Sequence, residues 1–146
     1  MDFNLGLLGA GLVMGLGAIG SALGIGAAGM ATIGAWKKNY ISNKAAPMML
    51  LAFAGAPLTQ TFYGFILMTQ MVTAANARPE NAGLYLGYGI ASGFALGFSA
   101  FAQGKIGASA ADAQGETGKG FAQYITVVGI AESVALFAMV LTMINL

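Results

Sequence analysis

The stretch Phe121–Leu146, FAQYITVVGIAESVALFAMVLTMINL, carries a single charge, Glu132. A bilayer's hydrocarbon core is about 30 Å thick and takes roughly 20 apolar helical residues to cross. At about 1.5 Å per residue, this run is long enough to span it. The stretch therefore predicts a transmembrane helix with one carboxylate deep inside. Three more apolar runs precede it, at roughly Leu5–Trp36, Met48–Thr73 and Ala82–Ala110. Each exceeds the spanning length. The chain reads as an all-α membrane protein with four transmembrane helices.

Composition agrees. Of 146 residues, 58% are apolar and 8% are charged, against about 25% charged in an average soluble domain. So few charges cannot cover a water-facing surface, and membrane lipid is the expected surrounding. Cys and His are both absent. That excludes disulfides, thiol chemistry, zinc sites of the usual kind and imidazole acid–base chemistry. The net charge of +1 comes with no basic stripe, so no nucleic-acid partner is expected. No Lys or Arg occurs before Lys37. A secretory signal peptide starts with a basic segment, so the first apolar run is expected to be a mature helix.

Short polar segments join the runs. The first holds Lys37, Lys38, Asn39, Ser42, Asn43 and Lys44 and ends at Pro47. The second holds Asn76, Arg78, Pro79, Glu80 and Asn81, and the third Asp112, Gln114, Glu116 and Lys119. Short connections make sequential helices antiparallel neighbours, so the units are helical hairpins, 5–73 and 82–146. Lys37, Lys38, Lys44, Lys105 and Lys119 fall on the side of the first and third connections, and only Arg78 on the other. The positive-inside rule then places 37–47 and 111–120 in the cytoplasm and both termini outside.

The two hairpins resemble each other. Gly20–Ala35 (GSALGIGAAGMATIGA) aligns with Gly93–Ala108 (GFALGFSAFAQGKIGA), with half of the positions identical. Carrying that register onward, with a one-residue slip, sets Gln60 opposite Glu132. The chain reads as two fused copies of one hairpin. An even number of spans restores direction, so this is a parallel repeat.

Glycine dominates the first helix, and Gly11/Gly15 and Gly20/Gly24 form GxxxG pairs. Small residues let helix backbones approach closely inside a membrane. A thinner version runs through Gly87, Gly89, Gly93 and Gly97, while Phe62, Tyr63, Phe65, Phe137 and Met139 thicken the second and fourth helices. Thin helices inside and thick ones outside suit a closed ring of hairpins; the glycines alone also suit a compact bundle. Gly15–Gly20 and Gly24–Gly29 match GxGxxG. That fingerprint has meaning only between a strand and a helix of a soluble unit, so no dinucleotide site is expected. There is no Walker A sequence either.

Glu132 is the sharpest signal. A charge at the bilayer centre costs roughly 2.5–3.5 kcal/mol even on the lenient insertion scale, and such residues usually mark ion paths. A proton, a metal cation or a basic side chain must neutralise it. On the second helix, Ala56, Thr59, Gln60 and Tyr63 are spaced i, i+3, i+4, i+7 and share one face. Pro57 removes an N–H and leaves a backbone carbonyl under-satisfied. Gln103 adds an amide from the third helix, provided that helix continues to about Glu116. Gln60 and Glu132 lie equally far past Pro47 and Lys119 and should share a depth. One carboxylate with several neutral oxygens suits a weakly charged, dehydrated cation such as Na⁺, whereas Ca²⁺ usually recruits more negative charge. A proton needs only the carboxyl and one acceptor. Lys105 lies near Gln103 and either snorkels toward water or turns inward to pair with Glu132.

Taken together, APLTQTFYGF (56–65), FAQGKIGA (101–108) and GIAESVAL (129–136) resemble the membrane-rotor proteolipid (the K or c component) of V-type rotary ATPases. The resemblance covers nearly the whole chain. In sodium-type bacterial members it implies an ion held by the carbonyl of Ala56, by Thr59, Gln60 and Gln103, and by Glu132, with Tyr63 hydrogen-bonded to the carboxylate. It implies a homo-oligomeric ring in the bacterial cytoplasmic membrane, a stator membrane subunit with a basic residue, a central-stalk subunit, and ATP hydrolysis in other subunits, so that this chain is not catalytic alone. Leu58 stands where some members have glycine, and Ala56 where they have leucine; the latter would act through its main chain. Two alternatives stay open: the same rotor coupled to H⁺, and a stand-alone four-helix transporter or channel.

Overall fold

The computed structural model describes residues 4–146, and among these the regular elements are all helices, with no strand. α1 is Leu5–Ile41, α2 Leu51–Gly55, α3 Thr59–Ala77, α4 Ala82–Thr117 and α5 Phe121–Met143. Asn4 caps α1, its side chain accepting the N–H of Gly6 at 2.8 Å and of Leu7 at 3.4 Å. α2 and α3 make one span, Met48–Ala77, interrupted by a tight 3₁₀ turn at Ala56–Leu58. Pro57 sits in that turn, because a proline has no N–H to continue the α-helical ladder. Four segments are long and apolar enough to cross a membrane: Leu5–Ile41, Met48–Ala77, Pro79–Thr117 and Phe121–Met143.

Two helices run further than their apolar stretches. α1 continues past Trp36 to Ile41, and α4 past Ala110 to Thr117. At 37 residues α1 is about 55 Å long, so it must project from a roughly 30 Å core or tilt within it. The packing there is continuous with the core: Ala111 is buried together with Ala35, Ala110, Leu50 and Phe53. Lys38 Nζ meets Asp112 Oδ1 at 3.2 Å, and the Trp36 indole donates to the Pro47 carbonyl at 3.0 Å. The third connection is consequently only 118–120. It turns on two residues with positive φ, Gly118 at 67° and Gly120 at 94°, a region that favours glycine.

α1 and α4 pack along their whole length, more extensively than any other pair. Their contacts advance together, from Gly9 on Gly89 through Gly20 on Gly97 to Ala35 on Gly115. The two helices are therefore parallel, as the repeat predicts. A Cβ on Gly20 would collide with the Gly97 backbone, and one on Gly104 with the Gly24 backbone. Only hydrogen at these positions permits such an approach. The GxxxG pairs divide: Gly20/Gly24 lies in this interface, whereas Gly11 and Gly15 meet nothing within 4 Å in the chain.

α3 packs mainly on α1, and α5 mainly on α4, with a smaller contact between α3 and α5. The thin helices form the inner pair and the bulkier ones flank them. α5 is the least covered span. It exposes Val127, Ile130, Val134, Phe137 and Leu141, an apolar stripe at helical spacing. Glu132 lies off that stripe, on the side that buries Val128, Ala135 and Thr142. Two apolar clusters form the core. One gathers Val13, Leu67, Met71, Tyr85, Leu96 and Ala135, the other Leu50, Phe53, Ala110, Ala111 and Val128. On every contributing helix the polar residues Gln60, Gln103 and Glu132 fall between these two clusters.

Candidate ion-binding site

Glu132 stands half-buried between α5, α3 and α4. Its Oε1 accepts the Tyr63 hydroxyl at 2.5 Å, and its Oε2 accepts the Gln103 amide at 3.3 Å. Both carboxylate oxygens thus face donors. Lys105 does not contribute: it is exposed, with its Nζ 5.6 Å from the centre of the Phe101 ring. Among the described residues the one ion pair is Lys38–Asp112, at the far end of α1 and α4. Lys105 therefore takes the outward course, and the carboxylate is left without a basic partner.

The amides extend the site inward. Gln60 and Gln103 are both fully buried. Gln103 Nε2 donates to the Val128 carbonyl at 3.1 Å as well as to Glu132. Its Oε1 accepts from Gln60 Nε2 at 3.0 Å. Gln60 thereby turns its own Oε1 toward the Thr59 hydroxyl, 3.1 Å away, and that hydroxyl lies 3.0 Å from the Ala56 carbonyl. A threonine hydroxyl has one proton. The cluster of Ala56 O, Thr59 Oγ1 and Gln60 Oε1 thus holds three oxygens and a single side-chain hydrogen, with the Thr59 N–H also on Ala56 O. Buried polar groups are costly unless paired, and here both amide nitrogens find acceptors, Gln60 Nε2 in Gln103 and Ser99 and Gln103 Nε2 in Val128 and Glu132.

Pro57 makes this clustering possible. The 3₁₀ turn it imposes brings the Thr59 hydroxyl back onto the Ala56 carbonyl. That carbonyl is not bare, since it accepts both the Thr59 N–H and the Thr59 hydroxyl. The continuation of α4 to Thr117 carries Gln103 to the level of Glu132. All six residues singled out from sequence meet, but unequally. Tyr63 and Gln103 touch the carboxylate, while Ala56, Thr59 and Gln60 form a cluster one amide away.

Sequence reasoning passed over Ser99. It is nearly buried, donates to the Ala131 carbonyl at 2.7 Å and lies 3.4 Å from Gln60 Nε2. Its position four residues before Gln103, on the same face of α4, was the available signal. Among the described residues no three His, Cys, Asp or Glu side chains gather. The donor set is accordingly one carboxylate and neutral oxygens.

A family model described as the C subunit of ATP synthase matches residues 8–71 and 86–145. These two segments take in most of the chain and divide it where the internal repeat does. No curated protein matches it.

Proposed function

The chain belongs to the ATP synthase C-subunit family, the ion-carrying, non-catalytic members of the rotor ring in rotary ATPases, and from that premise we propose that it carries Na⁺ on Glu132 in a V-type machine. The observation that supports Na⁺ is the oxygen cluster beside the carboxylate. A proton would need only Glu132 and an acceptor, whereas Ala56 O, Thr59 Oγ1 and Gln60 Oε1 converge with one side-chain hydrogen among them. Such oxygens replace a small cation's hydration shell, and one negative charge balances one positive charge. Gln103 Oε1 would complete the set, shared between the cation and the Gln60 N–H that it now accepts.

In this reading Tyr63 holds Glu132 closed over the ion as the ring turns through lipid. Family members form homo-oligomeric rings, and here the Gly-rich α1 and α4 would line the inside. Facing a stator subunit, a basic residue would draw the carboxylate out of its bond to Tyr63. The ion would then leave through one aqueous path, and the next would load from another. The residues 37–47 and 111–120 would lie in the cytoplasm of a bacterial cell, meeting the central stalk, with both termini outside.

Carbodiimide labelling of Glu132 at mildly alkaline pH, with and without Na⁺, tests the choice of ion. Protection by Na⁺ is expected. Labelling that ignores Na⁺ and falls only as pH rises would assign the rotor to H⁺. Native mass in mild detergent tests the ring, and a monomer or dimer would favour a stand-alone transporter.

A further inference from the structure

We propose that Ser99 is a positioning residue that sets the Na⁺ affinity of the site by fixing the direction of the Gln60 amide. This role rests on the Na⁺ reading of the Glu132 site.

The placement of protons decides the direction. The Ser99 hydroxyl has one, and the Ala131 carbonyl takes it at 2.7 Å. Toward Gln60 the Ser99 oxygen can therefore only accept. It faces Gln60 Nε2 at 3.4 Å, and the second proton of that nitrogen goes to Gln103 Oε1 at 3.0 Å. Both amide protons of Gln60 are thus directed at α4, and its Oε1 is directed at Thr59. Reversing the amide would set its oxygen against two oxygens without protons to give. It would also put an N–H beside Thr59, where a cation would be repelled.

The two acceptors are not equivalent once an ion is present. Gln103 Oε1 is then drawn to the cation, while Ser99 stays where its bond to Ala131 holds it. Ser99 becomes the acceptor that keeps Gln60's oxygen on the ion. It makes no hydrogen bond to Glu132, whose partners are Tyr63 and Gln103. Without Na⁺ its loss should leave the carboxyl's reactivity alone.

The test is the Na⁺ concentration that halves carbodiimide labelling of Glu132, read on the assembled protein in membranes. Ser99→Ala should raise that concentration about fivefold, the scale of one neutral hydrogen bond, with the Na⁺-free labelling rate and its pH profile unchanged. Ser99→Thr, which restores a hydroxyl, should return it to near the wild-type value. Ser92→Ala is the control for general loosening. It removes another α4–α5 bond, Ser92 to Thr142 at 2.6 Å, away from the site, and should leave protection as in wild type. Should Ser99→Ala fail to assemble, Ser99→Cys, with a weaker acceptor of similar shape, reads the same shift. Equal protection in wild type and Ser99→Ala would overturn the role of Ser99 alone. An equal shift in Ser92→Ala would overturn it in favour of loosened packing. A wild type without Na⁺ protection would overturn the Na⁺ reading and this inference with it.

Discussion

Tyr63 on α3 donates its hydroxyl to Glu132 on α5 across 2.5 Å, joining residues 69 apart in the chain. The bond ties the second hairpin's carboxylate to the first hairpin, so neither repeat holds the charge alone. Tyr63→Phe removes the donor and keeps the ring. A hydrogen bond to a charged group is worth about 1.5–3 kcal/mol, and partial exposure puts this one toward the lower end. We expect carbodiimide to label Glu132 several-fold faster in the variant. An unchanged labelling rate would show that Tyr63 does not hold the carboxylate closed.

Glu132→Gln keeps the shape of the side chain and removes its charge. Among the described residues Glu132 has no cationic partner, and its hydrogen bonds come from neutral groups. Transport in reconstituted vesicles should be abolished while native mass in mild detergent stays that of wild type. Loss of assembly would mean that the carboxylate is structural.

Gly20 lies where α1 and α4 touch backbone to backbone, so Gly20→Leu has no room and must push the helices apart. Overpacking costs typically about 1–3 kcal/mol and sometimes more. The variant should show a clearly lower Tm in detergent and lose assembly. Gly129→Ala is the contrast, since its Cβ would meet nothing within 4 Å. It should leave Tm within a few degrees of wild type, and equal losses at both positions would refute the close-approach account.

The Lys38–Asp112 pair joins the extensions of α1 and α4, but both side chains are exposed, at 63% and 59%. Exposed ion pairs are worth about 0–1 kcal/mol and are screened by salt. Asp112→Asn should therefore change stability by under about 1 kcal/mol, measured as Tm in detergent at low and high salt. A larger, salt-insensitive loss would give the pair a structural role it does not have here.

The spans, the repeat and the lone carboxylate are legible in sequence because each is a local property: length of apolar run, spacing of small residues, one charge among neutral neighbours. Helix ends are less so. Ala110 closes the apolar stretch, yet α4 runs on to Thr117, because Ala111 and Gln114 remain buried beside other helices. Hydropathy marks where lipid ends, and the packing of α1 on α4 carries the helix beyond it. Likewise both GxxxG pairs look alike as letters, and only the crossing of the helices selects Gly20/Gly24.

For Glu132, the sequence alone determined that a carboxylate lies within a span, that Gln60 occupies the matching place in the other hairpin, and that Thr59, Gln60 and Tyr63 share a face. Helical periodicity is enough for that. Which atoms meet was decided by tertiary structure. The rotation of α3, α4 and α5 about their axes puts Tyr63 and Gln103 on the carboxylate and leaves Ala56, Thr59 and Gln60 one amide further in. It turns Lys105 toward the Phe101 ring and brings in Ser99, which no motif marks. The physical reason is that hydrogen bonds form over about 3 Å between separate helices, and only the packed glycine interface sets where those helices stand.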